Sequence, residues 1–253
     1  MPRVARKLSN SGIYHVIVRG INRQDIFLDT EDVERYLLVL NELKKDNGYY
    51  LYAYCFMRNH VHLLIKEGSI PLGLLMRRIG SSYVFWYNRK YNRIGYLFQD
   101  RYKSEAVEDE SYFLTVLRYI HQNPLKAGLT KKIVTYPWSS YPGYLSGKGF
   151  TDREVPLAMF HADPKKAKKA FIGFHRFVND DHCLEIDTKQ LLSDHEVESI
   201  IAKLCNLKKA SDLQYVNKTV RNDYLKQLKA KYQLSVRQME RVTGIGRNTI
   251  NRA

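Results

Sequence analysis

Apolar residues in the first half of the chain follow two rhythms, and each predicts a kind of element. Successive side chains of a strand point to opposite faces, so short dense apolar runs read as strands; spacings of three and four read as helices. Ile13–Arg19 (Ile-Tyr-His-Val-Ile-Val-Arg) is a predicted strand that ends at Gly20. A helix follows from about Glu31 to Lys45, capped by Asp29 or Thr30, with Val33, Tyr36, Leu37, Leu40 and Leu43 on its inner face. Asn47-Gly48 stops it. Tyr49–Met57 and His60–Lys66 are two more strands, and the short Met57-Arg58-Asn59 link makes them an antiparallel hairpin. Leu72, Leu75, Ile79, Tyr83 and Trp86 mark a helix over about Pro71–Tyr91. Lys103–Val107 is a fourth strand, and Glu110–Asn123 a helix that Pro124 ends. Strand, helix, strand, strand, helix, strand, helix is the order of an α+β, ferredoxin-like (split βαβ) fold: an antiparallel sheet with helices on one face.

The rest of the chain is less regular. Pro124–Leu145 is loop-like, with Trp138 and several tyrosines expected to pin it down. Asp163–Val178 is a predicted helix carrying Lys165, Lys166, Lys168 and Lys169, and His175–Lys189 is a predicted linker. Ser193–Leu204 begins a small all-α domain. The expected division is a first domain over 1–150, a basic helix and linker over 151–190, and a helical domain over 191–253 with a helix-turn-helix near 235–252.

Charge narrows the partners. The 253 residues carry 41 Lys+Arg against 26 Asp+Glu, a net charge of +15 that favours a polyanion, nucleic acid by default. Eleven Lys/Arg and three Asp/Glu lie within Lys208–Ala253 alone. No run of about 18 apolar residues is present, so no membrane span is expected. The basic N-terminus lacks an apolar signal core, and Cys55, Cys183 and Cys205 fit neither a disulfide frame nor a zinc ribbon. A cytoplasmic protein is expected.

Two stretches carry candidate chemistry. His60 and His62 share a face of their strand, so two imidazoles lie side by side on a rigid support. Four residues apart on a helix, Tyr119 and Asn123 also share a face, beside Val116 and Tyr112. An amide oxygen from Asn123 would complete a metal shell begun by the histidines, with the Tyr119 phenol within reach of whatever the metal holds. A phenol with a pKa near 10 is only about one part in a thousand ionised at pH 7, so as a nucleophile it needs an activating neighbour and a polarised electrophile. A divalent ion on a phosphodiester supplies the latter. Two imidazoles and an amide leave open positions that suit Mg²⁺ or Mn²⁺.

Tyr-Cys-Phe-Met-Arg-Asn-His-Val-His-Leu-Leu-Ile (54–65) and Arg-Tyr-Ile-His-Gln-Asn-Pro-Leu-Lys-Ala-Gly-Leu (118–129) resemble the two signature blocks of the single-tyrosine HUH transposases, and more narrowly those of the REP-associated tyrosine transposases. Tyr14-His15-Val16, Arg19-Gly20-Ile21-Asn22-Arg23, Phe98-Gln99-Asp100-Arg101-Tyr102 and Trp138-Ser139-Ser140-Tyr141 extend the resemblance, which runs from about 10 to 180. Arg58 stands where the family usually has Pro, and Ile21 where Asn is common. The resemblance implies that His60, His62 and Asn123 hold the metal and that Tyr119 is the nucleophile; Gln122 is a rival third ligand, because related transposases use Gln. It implies cleavage and rejoining of single-stranded DNA at hairpin-forming repeats through a 5′-phosphotyrosine, by a monomer or homodimer. Arg19, Asn22 and Arg23 follow the first strand and are candidates to touch the hairpin.

Leu234–Ile250 resembles a helix-turn-helix, with Gly244 at the turn and Arg247, Asn248, Thr249 and Asn251 on the recognition helix; Glu240 occupies a place that usually holds Ala. Two other readings compete with the enzyme. One is a DNA-binding protein whose catalytic core has been repurposed. The other is a zinc hydrolase built on His-x-His, which lacks further ligands at a suitable spacing and leaves the charge unexplained.

Overall fold

The computed structural model describes residues 6–177, 181, 183–184, 194–232 and 234–253. The chain forms two compact units, Met1–Ile186 and Asp187–Ala253. The first is built from β1 (Ile13–Arg19), α1 (Thr30–Asn47), β2 (Tyr50–Met57), β3 (His60–Lys66), α2 (Leu72–Lys90), β4 (Lys103–Ala106) and α3 (Glu110–Lys126). The strands lie in the order β2-β3-β1-β4 with every neighbouring pair antiparallel, the expected split βαβ sheet. α1 starts on a reciprocal cap between Asp29 and Asp32 and stops at Gly48, whose φ of 60° lies in the left-handed region that suits glycine.

The layering corrects one expectation. Val61, Leu63 and Ile65 of β3, with Val16 and Val18 of β1, pack under Tyr36 and Leu40 of α1 and Ile79 and Tyr83 of α2. The opposite face carries Ala53, Cys55 and Leu64, and it packs against Val116, Leu117 and Ile120 of α3. Helices therefore cover both faces of the sheet, not one. The cause is the composition of the inner strands: β3 is buried at every position from Val61 to Ile65, so neither face can be left to water. α3 also runs past its expected end, through Pro124 to Lys126. Proline's φ suits a helix, and a missing N–H in the last turn forfeits a single hydrogen bond.

The segment after α3 lies along the outer edge of β2. The Phe56 N–H donates to the Trp138 carbonyl at 2.8 Å, and the Ser140 N–H to the Tyr54 carbonyl at 3.0 Å. The hydroxyls of Tyr136 and Tyr144 donate to the carbonyls of Phe56 and Tyr52, both at 2.7 Å. These bonds satisfy an edge that would otherwise be a template for pairing. Two short helices, α4 (Tyr141–Ser146) and α5 (Glu154–Ala158), lead to α6 (Pro164–Arg176), capped by Asp163. Phe171 of α6 is fully buried in the α3-side core, so this helix belongs to the first unit rather than to a separate intervening segment. The linker expected over His175–Lys189 falls largely outside the described residues.

The second unit contains α7 (Asp194–Cys205), α8 (Lys218–Tyr232), α9 (Val236–Thr243) and α10 (Arg247–Arg252). Its own core gathers Ile201, Leu213, Leu225, Leu228, Met239 and Ile250. Ser235 caps α9, and Gly244 ends it at φ 74°, so α9, turn and α10 form the expected helix-turn-helix.

Gly20, directly after β1, is the tightest point of the first unit: a Cβ there would lie 2.1 Å from the Gln24 carbonyl oxygen. Gly20→Ala is expected to cost about 2–4 kcal/mol, more than an average substitution. Urea unfolding followed by the fluorescence of Trp86 and Trp138, both in the first unit, measures it; an unchanged midpoint would contradict this packing.

Candidate active site

His60 and His62 project from the α3 side of β3, the face that also carries Leu64. Register sets their neighbours. His60 is opposite Arg19 on β1 and Met57 on β2; His62 is opposite Ile17 and Cys55. Tyr119 comes down from α3 and meets His62 edge-on, ring centroids 5.8 Å apart. The two strand imidazoles are 5.0 Å apart, so the histidines and the tyrosine form one cluster, as expected. Tyr119 is buried, 7% exposed, and the Lys126 ammonium lies 5.3 Å over its ring.

Each face of α3 has a different task. Arg118 forms a two-pronged pair with Asp181 at 2.7 and 2.8 Å. One turn on, the Gln122 amide donates to the carbonyls of His175 and Phe177 at 2.8 and 3.1 Å. That stripe is turned to the end of α6, and the Gln122 amide nitrogen is committed there. His121 points into the α4–α6 side, between His175 (2.9 Å) and the Ser140 hydroxyl (2.8 Å). The direction of this chain is set at one end: His175 Nδ1 is 2.9 Å from the Phe171 carbonyl, which only accepts. The Asn123 amide nitrogen, on the Tyr119 stripe, is buried without a hydrogen-bond partner. A buried unmet amide costs about 1–3 kcal/mol and asks for a ligand; turned by 180°, the same side chain offers its oxygen. Tyr112, the other tyrosine of this stripe, donates to Glu105 at 2.5 Å, and burial followed by that carboxylate pushes its pKa up, which disfavours it as a nucleophile.

The imidazoles are neutral and oriented. Burial, then the positive charge of Arg19, lowers His60 to about 4. Burial, then the neighbouring His60 and His15, hold His62 well below its ordinary value. The Asn59 amide nitrogen donates to the Arg23 carbonyl at 3.3 Å, which turns its oxygen to His60 Nδ1 at 2.6 Å. His60 Nδ1 therefore carries the proton, and its Nε2 presents a lone pair. His62 Nδ1 is 3.1 Å from Nε2 of His15, a fully buried β1 residue stacked on it with centroids 5.3 Å apart. His15 and Asn59 were not anticipated as site residues. The signal for His15 was parity, since it shares the face of Ile17 and Arg19, but only the β1–β3 register brings it diagonally against His62. Among the described residues no group of three or more His, Cys, Asp or Glu side chains is arranged to hold a metal.

Residues 9–123 match the family model described as IS200-like transposase, and this span holds β1 through Asn123. Among solved structures, that of a REP-associated tyrosine transposase bound to a REP hairpin is similar to this chain in fold, with 17% identity, a TM-score of 0.50, and coverage of 74% of this chain and all of that one. No curated protein matches the sequence.

The predicted DNA-contacting residues of the first unit sit beside its histidines. Arg19 is paired with His60, and Asn22 and Arg23 adopt φ of 50° and 60°, uncommon for non-glycine residues. The turn they form is tied to the β2–β3 hairpin by the Gly20 N–H, which donates to the Asn59 carbonyl at 2.9 Å. In the second unit, Asn248 is exposed and Thr249 half-buried on α10, while Arg247 is paired with Glu240, so the residue that departs from the usual helix-turn-helix pattern ties α10 to α9. No helix among the described residues is long and apolar enough to cross a membrane.

Burial also lowers His15 to about 3 and His175 to about 4, and holds His121 well below its usual range. For these five histidines the unfolded chain takes up protons near pH 6.5 and the folded chain does not, so stability is complete above that pH and falls as pH drops from 6.5 toward 4. Each contributes a slope approaching about 1.4 kcal/mol per pH unit. Urea midpoints in EDTA at pH 7.0, 6.0 and 5.5 are expected to fall progressively; a flat profile would mean that these histidines are solvated.

Proposed function

We propose that this protein is an IS200-like transposase, a metal-dependent strand transferase for single-stranded DNA, with Tyr119 as nucleophile and His60, His62 and Asn123 as metal-holding residues. The observation that carries the reading is the Tyr119 ring against His62, beside an imidazole pair whose protonation leaves nitrogen lone pairs. Gln122, committed to carbonyls of the α6 end, is the weaker third ligand, and the unmet Asn123 amide supports Asn123. In bound form, Mg²⁺ or Mn²⁺ would withdraw charge from the non-bridging oxygens of the scissile phosphate.

The chain's own residues supply the rest. Tyr119 Oη attacks phosphorus, a bond from phosphorus to the phenolic oxygen forms, and the bond to the 3′ oxygen breaks. The phenol gives up one proton and the 3′ oxygen gains one, leaving a 5′-phosphotyrosine and a 3′-hydroxyl. The Lys126 ammonium lies 5.3 Å over the Tyr119 ring, a positive charge beside the phosphate that the ring would receive. A second 3′-hydroxyl reverses the step and joins a new strand, with no nucleotide triphosphate consumed. The similar structure contains a REP hairpin, and the positive charge of this chain suits a hairpin-forming DNA substrate. The competing reading, a repurposed DNA-binding protein, is favoured by one feature: Tyr119 is nearly covered.

Hairpin DNA from the flanks of the gene, labelled on either side of the cut, separates the two. A covalent adduct in Mn²⁺ or Mg²⁺, absent in EDTA and absent in Tyr119→Phe, is expected on a denaturing gel. Intact hairpin binding with no adduct from the wild type would sink the nucleophile assignment.

For His62 to offer Nε2, its proton has to sit on Nδ1, and His15 Nε2 is the acceptor in place. His15 is thus a positioning residue. His15→Leu, which removes the acceptor, is expected to weaken Mn²⁺ binding by about 10- to 100-fold in calorimetry, whereas His15→Gln, which keeps one, restores most of it. Equal affinity in the Leu variant would remove His15 from the site.

A further inference from the structure

A cleft of about 740 Å³ opens between α2 and the segment Gly95–Tyr102. One wall is α2, which turns Gly73, Arg77, Gly80 and Val84 toward it, a stripe at spacings of three and four. The glycines make the room: a side chain at Gly80 would come up against Phe98, 3.9 Å from its ring. The other wall is joined to the active site through the backbone. The Gln99 N–H donates to the Arg19 carbonyl and the Ile21 N–H to the Leu97 carbonyl, both at 2.9 Å, and Arg19 is the residue paired with His60. A DNA strand that leaves the histidines past Arg19 therefore arrives at this cleft.

The lining has the chemistry of a nucleotide subsite. Met76, Val84, Leu97 and Phe98 give an apolar interior that suits a base and rejects a phosphate. At the rim, Arg77 and Arg101 are exposed and suit the flanking phosphates, while Gln99 and Asp100 offer polar groups to base edges. Tyr96 is 85% exposed, an aromatic ring left in water at the mouth of the cleft. Exposed aromatics beside arginines are the stacking platforms of single-strand binding sites. The volume is ample for one nucleotide.

We infer that this cleft binds one unpaired nucleotide of the DNA substrate, its base stacked on Tyr96 and its phosphates held by Arg77 and Arg101. The inference rests on the strand-transferase reading and adds to it a place where unpaired sequence next to the cut is recognised. A duplex has no free base to offer, so the cleft selects single-stranded arms.

The test uses the full chain with Tyr119→Phe, which prevents covalent capture, and two DNA probes: a stem–loop with unpaired 5′ and 3′ arms and the same stem with no arms. 2-Aminopurine is placed at each unpaired position in turn. Quenching at one arm position is expected, lost in Tyr96→Ala and kept in Tyr96→Trp. Tyr96→Ala and Arg77→Ala are each expected to weaken armed-probe binding about tenfold and to leave the armless stem unaffected. Tyr96 is exposed, so circular dichroism is expected to match the parent protein. Unchanged affinity and quenching in Tyr96→Ala, with armed DNA still bound, would overturn the cleft assignment and leave the strand-transferase reading standing. Equal losses on both probes would also overturn it, by making the rim a general phosphate surface. Failure of the parent protein to bind either probe would overturn both.

Discussion

Everything at this site depends on keeping His62 neutral inside a sheet that is covered on both sides. The strand that carries it has Val61, Leu63 and Ile65 on the far face, packed under α1 and α2, and a buried near face under α3. Water cannot satisfy an imidazole there. The protein supplies other partners: His15 takes one nitrogen, and the Tyr119 ring packs edge-on. Charge is excluded by the same burial, which lowers His15, His60 and His62 together. An imidazole that stays unprotonated well below pH 6 keeps its lone pair, the form a divalent ion needs.

α3 transmits this constraint to the rest of the first unit. Its apolar residues seal the near face of the sheet, and its polar residues are sorted by turn. Arg118 and Gln122 hold residues at and beyond the end of α6, His121 joins α4 and α6 through Ser140 and His175, and Tyr119 and Asn123 share the remaining stripe. Rotating the helix by one residue would put Arg118 or Ile120 where Tyr119 stands. The buried chain from Ser140 through His121 and His175 to the Phe171 carbonyl opposes that rotation, because each nitrogen has a single partner of the right kind.

The second unit stands on a separate core and brings its own basic surface. Arg247, paired with Glu240, and Asn248 are both exposed at the start of α10.

Much of this was legible in the order of residues. Local periodicity determined the seven elements of the sheet and its helices, with β1 and β3 at their observed limits, and parity put His60 and His62 on one face. The i, i+4 spacing put Tyr119 with Asn123, and Asp163, Gly48 and Gly244 acted as caps and stops wherever they occur. These features rest on steric and hydrogen-bonding preferences that act over a few residues. Tertiary structure alone decided the rest. It put α3 on the opposite face from α1 and α2, drew α6 into the first unit's core, carried the helix through Pro124, committed Gln122 to the end of α6 and set His15 against His62. Each of these depends on which surfaces remain uncovered once the sheet has formed, and the contacts join residues far apart in the chain, as His15 with His62, Gln122 with His175 and Ala53 or Leu64 with α3. Short-range pattern carries no information about pairings at that distance.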